Sequence, residues 1–110
     1  PAIRDYIHVV DLAKAHVRAI ERMLNDEQKK SYEYFNIGTG KGSSVLEVIQ
    51  AFERINQTKV PYRVIDRRAG DIAKIYADTT RGNDDLDWRA QLNLDDMMKS
   101  AWEWQKTLNL

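Results

Sequence analysis

Three short runs rich in β-branched and aromatic residues alternate with apolar stripes at helical spacing, and this alternation constrains the fold more than any other feature of the chain. Residues 5 to 10, Asp-Tyr-Ile-His-Val-Val, read as a first strand, and Asp11 stands where it can cap the helix that follows. Leu12, Ala13, His16, Val17, Ile20, Met23 and Leu24 recur on one face of that helix, and the polar run NDEQKKS ends it. Tyr32 to Ile37 reads as a second strand. It runs into GTGKG at residues 38 to 42, followed by Ser44 and Glu47 at capping-box spacing and a stripe of Val45, Val48, Ile49, Phe52 and Ile55. Pro61 precedes a third strand, Tyr62 to Ile65. Asp78 is placed to cap a short helix reaching about Leu86, with Gly82 inside it at a cost of roughly 1 kcal/mol against Ala. Asn93 is placed to cap a last helix with Met97, Met98, Ala101, Trp102, Gln105 and Leu108 on one face. Asp95 and Asp96 at its start and Lys106 near its end suit the helix dipole. The resulting order, β-α-β-α-β-α-α, predicts an α/β layer fold. Three strands are few for an open sheet, which points to a piece of something larger.

The 110 residues fit one domain or part of one, able to bury roughly 65% of the surface the unfolded chain exposes. With 43% hydrophobic and 31% charged residues the composition is globular. Seventeen basic and seventeen acidic side chains cancel, so no overall field draws nucleic acid or an anionic membrane, and anion binding has to come from local geometry. The absence of cysteine removes disulfides and thiolate metal sites and is compatible with a reducing cytosol. No apolar run approaches the roughly 20 residues that span a bilayer. The chain begins at Pro1 rather than Met, as expected of a processed chain or an excerpt.

GTGKG invites a phosphate-cradle reading, because a glycine-rich turn from strand to helix exposes backbone N–H groups. The dinucleotide fingerprint G-x-G-x-x-G fails at Ser43, and no Walker loop is present, so a tight structural turn is the favoured reading. His16, on the apolar stripe, is expected to be a hydrogen-bonded core histidine; with His8 it gives no metal site, since no third ligand stands at metal spacing. Trp88, Trp102 and Trp104 are expected to pack in the core rather than stack on bases. No catalytic residue emerges.

Arg67, Arg68, Gly70 and Asp71 form the one local cluster. Paired guanidinium forks suit phosphate oxygens, a nearby carboxylate suits the two hydroxyls of a ribose, and a glycine lets the backbone turn between them. Spacing alone leaves two readings open, an anion clamp and a solvated charged turn.

The run of segments Arg4-Asp-Tyr-Ile-His-Val-Val-Asp-Leu-Ala, Phe35-Asn-Ile-Gly-Thr-Gly-Lys-Gly, Ser44-Val-Leu-Glu-Val, Arg67-Arg-Ala-Gly-Asp, Tyr76-Ala-Asp, Leu86-Asp-Trp and Trp102-Glu-Trp-Gln resembles the C-terminal third of bacterial UDP-glucose 4-epimerases, extended short-chain dehydrogenases/reductases. The resemblance covers essentially the whole chain in order. It implies that residues 1–110 are the C-terminal UDP-sugar-binding part of an NAD-dependent isomerase of galactose metabolism. One strand, that of Phe35, would belong to the edge of the Rossmann sheet and the rest to the substrate-binding domain. In such enzymes NAD takes hydride from C4 of the sugar, a 4-keto intermediate turns over, and hydride returns to the other face. The resemblance makes Arg4 and Arg68 clamps for the UDP pyrophosphate and Asp71 the acceptor of the ribose hydroxyls. Val45 would pack near the nucleotide, and Ile75 would stand beside the sugar at its 2-substituent.

The family's Tyr-x-x-x-Lys pair is absent: Val10, Asn36, Gly38, Asp66 and Thr80 stand four places after the five tyrosines. The chain alone is therefore expected to be inactive, with NAD and the acid/base residues held by an N-terminal domain that it lacks. A cytoplasmic, homodimeric full enzyme acting on a UDP-sugar, with no nucleic-acid or membrane partner, is the expectation. A related nucleotide-sugar epimerase or 4,6-dehydratase, and a free-standing binding module whose arginines serve a partner protein, are the alternatives.

Overall fold

The computed structural model describes residues 2 to 66 and 69 to 108. Two short strands, β1 (Ile3–Arg4) and β2 (Ser43–Ser44), pair antiparallel with Ile3 opposite Ser44 and Arg4 opposite Ser43. The described helices are α1 (Val9–Leu24), α2 (Val45–Asn56), α3 (Thr80–Leu86) and α4 (Leu94–Thr107). The arrangement is α/β with a small sheet, but its order is β-α-β-α-α-α, which corrects the expected sequence of elements.

Caps explain where the helices begin. Ser44 Oγ accepts from the Glu47 N–H at 3.1 Å while Glu47 Oε1 accepts from the Ser44 N–H at 3.0 Å, the reciprocal box expected for α2. Asn93 and Asp96 make the same exchange at the start of α4, at 2.9 Å each way. Helix α1 departs from expectation. His8 is its cap, with Nδ1 accepting from the Val10 N–H at 3.0 Å, so the helix begins inside the stretch expected to be a strand. Asp11 is released for another task. At 1% exposure its carboxylate accepts the N–H groups of Gln91 and Leu92, and its carbonyl accepts Trp88 Nε1. At α3 the cap position is Thr79, without a side-chain cap bond, and Asp78 instead accepts from the N–H and hydroxyl of Thr80.

The face that α1 buries is a second correction. Ala15, Ala19, Arg22 and Asp11 turn inward, whereas Val9, Val17, Ile20, Met23 and Leu24 are each more than half exposed and His16 lies in solvent, its ring N–H bonded to the Leu12 carbonyl. What holds the inner face is polar. Arg22 grips Glu33 with a fork of 2.8 and 3.1 Å and donates to the Asp85 carbonyl, while Arg18 donates to the Leu86 carbonyl. Both partners of the Arg22–Glu33 pair are less than a tenth exposed, so the fork is sheltered as well as bidentate.

Phe35 and Ile37 pack on a core of Ala15, Leu86 and Trp88, yet residues 32–37 form no ladder among the described residues. Its side chains pack on the core, but a ladder needs a neighbouring strand, and none among the described residues pairs with it. Residues 62–65 likewise form no strand and are exposed. The third strand-like segment is instead Ala73–Ile75, running parallel to β1: the Ile3 N–H donates to the Ala73 carbonyl at 2.8 Å and the Ile75 N–H to the Ile3 carbonyl at 2.9 Å. Gly82 has a packing reason to stand inside α3. A Cβ there would lie 3.3 Å from the Asn36 carbonyl oxygen and 3.4 Å from Ile37 Cδ1.

Two packing units result. One joins α1, α3 and the 35–37 segment. The other joins α2 to α4 through buried Ala51, an edge-to-face Phe52–Trp102 pair at 5.3 Å and an Arg54–Asp95 fork of 2.9 and 2.7 Å. His8 Nε2, 2.9 Å from Ser100 Oγ, ties the units together. The radius of gyration, 17.0 Å, exceeds the roughly 13 Å of a compact domain this size, as two units side by side require. Trp88 is core and Trp102 half-buried as expected, but Trp104 is 64% exposed.

Candidate functional site

The glycine-rich turn holds an anion, and the anion belongs to the protein. Asp5 leaves β1 directly beneath residues 39–40, where its carboxylate accepts from the Thr39 N–H at 3.0 Å, the Thr39 hydroxyl at 2.6 Å and the Gly40 N–H at 2.9 Å. A fourth donor, the Ala77 N–H, arrives from two residues beyond the Ala73–Ile75 segment at 3.2 Å. Burial pushes the Asp5 carboxyl up, but the bonds from Thr39, Gly40 and Ala77 outweigh it and hold the group below the usual carboxylate range. Gly38 fits here because it has no side chain: a Cβ would meet Asp5 Oδ2 at 2.7 Å. Gly40, at φ +78°, makes the turn. Asp5 thus locks β1, the glycine turn and residue 77 into one rigid floor.

A cleft of about 640 Å³ opens at the start of α2. The first residues of α2, Val45 and Leu46, and Ile49 one turn on give it an apolar wall. Ala2 borders it from the start of β1, and the 62–66 segment and Asp71 supply its polar side. The Ser44 capping box fixes where Val45 stands, and the β1–β2 pairing holds that helix start against β1. A second hollow, of about 400 Å³, lies between Tyr6, Thr39, Lys41 and Ser43 and the start of α4.

The expected site residues gather unevenly. Val45 and Asp71, distant in sequence, line the same cleft, with Asp71 half-buried. Arg4 and Ile75 are neighbours across β1: the Ile3 carbonyl accepts both the Ile75 N–H and Arg4 Nη1, each at 2.9 Å, so the guanidinium lies against its own strand beside Ile75. Neither is among the residues that line the cleft. Arg68, with Arg67, lies outside the described residues. Sequence reasoning missed Asp5, Tyr62 and Arg63. The signal for Asp5 was slight, a carboxylate in an otherwise apolar run; the other two stood in a stretch assigned to a strand.

Among the described residues no group of three or more His, Cys, Asp or Glu is arranged to hold a metal ion, and no helix is long and apolar enough to cross a membrane.

No family model matches the chain. It is 48% identical over 105 residues to UDP-glucose 4-epimerase of Bacillus subtilis, covering 96% of this chain and 30% of the relative. The crystal structure of UDP-glucose 4-epimerase from Stenotrophomonas maltophila, solved with NAD and formylated UDP-arabinopyranose, superposes with a TM-score of 0.90 at 43% identity, over 96% of this chain and 31% of that one. In sequence and fold the chain matches the UDP-glucose 4-epimerase family. The Bifidobacterium longum epimerase, solved with NAD+ and UDP, agrees at a TM-score of 0.86 and 46% identity, over 96% of this chain and 30% of that structure.

The chain spans about 30% of the length of the curated epimerases it matches. The chain contains no Tyr-x-x-x-Lys pair. In its glycine-rich turn the N–H groups of Thr39 and Gly40 are already taken by Asp5, so neither is open to a phosphate.

Proposed function

We propose that this chain is the C-terminal, nucleotide-sugar-binding part of a UDP-glucose 4-epimerase that interconverts UDP-glucose and UDP-galactose. The observation that carries the reading is the agreement in sequence and backbone with epimerases, 43% identity at a TM-score of 0.90, along 96% of the chain. The cleft supports it chemically: an apolar wall of Val45, Leu46 and Ile49 suits the faces of a base and ribose, and Asp71 offers a carboxylate to the ribose hydroxyls. In this reading Arg68 and Arg4 grip the pyrophosphate. Arg4 first releases the Ile3 carbonyl, which keeps the Ile75 N–H as its partner. Ile75, beside Arg4, faces the sugar, and its branched but compact side chain leaves room for tolerance of N-acetylated sugars.

The same reading assigns NAD and the catalytic acid/base to an N-terminal domain outside this chain, which by itself would be inactive. The Phe35 segment, which forms no ladder among the described residues, would complete the edge of that domain's sheet. The full protein would be a cytoplasmic homodimer. The test is an epimerase assay on the full-length protein, with UDP as competitive inhibitor. Interconversion of the two UDP-sugars is expected, together with inhibition that weakens in Asp71→Ala. A full-length protein that neither binds UDP nor turns over UDP-glucose would overturn the reading and favour a non-catalytic module.

A further inference from the structure

We propose that Asp5 is a positioning residue that presents Arg4 to the diphosphate of the UDP-sugar, an inference that rests on the nucleotide-sugar reading above. Arg4 lies in the middle of three bonded segments. On one side residues 39–44 run back along residues 3–5: Ser44 stands opposite Ile3, Ser43 opposite Arg4, and the N–H groups of Thr39 and Gly40 reach the Asp5 side chain. On the other side Ala73–Ile75 runs parallel, bonded to Ile3 through the Ala73 carbonyl and the Ile75 N–H.

The register shows what Asp5 does there. A parallel ladder that joins the Ile75 N–H to the Ile3 carbonyl would next join the Ala77 N–H to the Asp5 carbonyl. The Ala77 N–H goes to the Asp5 carboxylate instead, and the same carboxylate holds the glycine turn on the opposite side. One side chain thus carries the pairing onward in both directions where β1 ends. That matters because β1 is two residues long, and so short a pairing is marginal by itself. Main-chain bonds fix Arg4 from the Ile3 side, and the Asp5 carboxylate fixes it from the other. The Arg4 guanidinium rests on the Ile3 carbonyl while Asp5 bonds to Thr39, Gly40 and Ala77, so the two neighbouring charges keep separate partners. Arg4 can therefore turn to a phosphate without unseating Asp5. A guanidinium fork presented from a fixed backbone loses less order on binding than one that must first be held in place.

Isothermal titration of the full-length protein with UDP and with uridine tests this, for wild type, Asp5→Asn, Arg4→Ala and the double variant. Asp5→Asn keeps an acceptor oxygen for Thr39 but turns an amide N–H2 towards the Gly40 and Ala77 N–H groups. It should weaken UDP about three- to tenfold and uridine less than about twofold. In the Arg4→Ala background the same change should weaken UDP less than about twofold, because the group it positions is gone. Thr39→Val, which removes the hydroxyl and keeps the main-chain donors, gives a milder form of the test should Asp5→Asn not fold; it too should weaken UDP and spare uridine. Equal losses for UDP and uridine, equal losses with and without Arg4, or unchanged UDP affinity in both variants would overturn the positioning role while leaving the cleft a nucleotide site. If Arg4→Ala binds UDP as wild type does, Arg4 leaves the clamp and Asp5 loses its role. Wild-type protein that binds neither ligand would overturn the nucleotide reading itself, and the role of Asp5 with it.

Discussion

The Gly40 N–H donates to the Asp5 carboxylate at 2.9 Å, so the turn that most resembles a phosphate loop is filled from within. Four donors converge on that one side chain from two separate places in the fold, the 39–40 turn and Ala77. Replacing Asp5 with Ala leaves the half-buried Thr39 and Ala77 N–H groups unpaired and should cost about 1–3 kcal/mol of stability. Asp5→Asn keeps one acceptor oxygen and should cost less. Urea denaturation of the two variants checks the order, and equal stabilities for Asp5→Ala and wild type would contradict it.

Gly38 should be nearly irreplaceable. An added methyl would stand 2.7 Å from Asp5 Oδ2 and 2.9 Å from Ala77 Cβ, closer than real contacts allow. Gly38→Ala should therefore destabilise by about 1–3 kcal/mol, typical of overpacking, and thermal melting should register the loss. The same substitution at Gly70 meets no atom within 4 Å; strain there comes from its φ of +83° alone, about 1–2 kcal/mol.

Acid should loosen the α1 unit through Glu33. The hydrogen-bonded Arg22 fork, ahead of the burial that opposes it, lowers the Glu33 carboxyl from its ordinary 4.5 to about 2. A depressed carboxylate contributes stability that is complete above its unfolded value and is lost as protons bind the folded state. Stability should accordingly decline as pH falls from about 4.5 towards about 2. In Glu33→Gln this part of the decline should flatten, measured by denaturant midpoints across that range. An unchanged slope would remove Glu33 from the account.

In the full-length protein, Arg68→Ala should lose roughly 1.5–3 kcal/mol of UDP affinity, the worth of a charge-assisted bond. Calorimetric titration reads this directly, and wild-type affinity in the variant would exclude Arg68 from the clamp.

Ile75→Tyr should lower turnover of UDP-GlcNAc relative to UDP-glucose by narrowing the space at the 2-substituent. Equal turnover ratios for the two proteins would remove the steric role of Ile75.

Much of the local structure was legible because its causes are local. Ser44 with Glu47 and Asn93 with Asp96 each close a cap within four residues, and the start of α2 and the start of α4 follow from them. Val45 and Asp71 were named in a different way, through a resemblance spread over the whole chain, and both line one cleft, whose occupant is a proposal. The α1 face was misread for a physical reason. An apolar stripe predicts burial against something, but Arg22, Arg18 and Asp11 hold the opposite face against Glu33, the Leu86 carbonyl and the Gln91–Leu92 backbone. Those partners come from distant parts of the chain, and no periodicity announces them.

Strand propensity failed at 32–37 and 62–65 for a related reason. Propensity describes one segment, whereas a ladder is a property of two. Ala73–Ile75, with a weaker sequence signal, lies beside β1 because Ile3 presents both its N–H and its carbonyl to it.

The sequence by itself determined the helix caps, the chain-long likeness to epimerases, the absence of a Tyr-x-x-x-Lys pair and the presence of a charged cluster around Asp71. Tertiary structure decided that Asp5 fills the glycine turn and that α1 turns its polar side inward. The division follows the range of the forces. Caps and turns are settled by atoms a few residues apart, while the partner of a buried charge is settled by which distant segment the folded chain brings within about 3 Å.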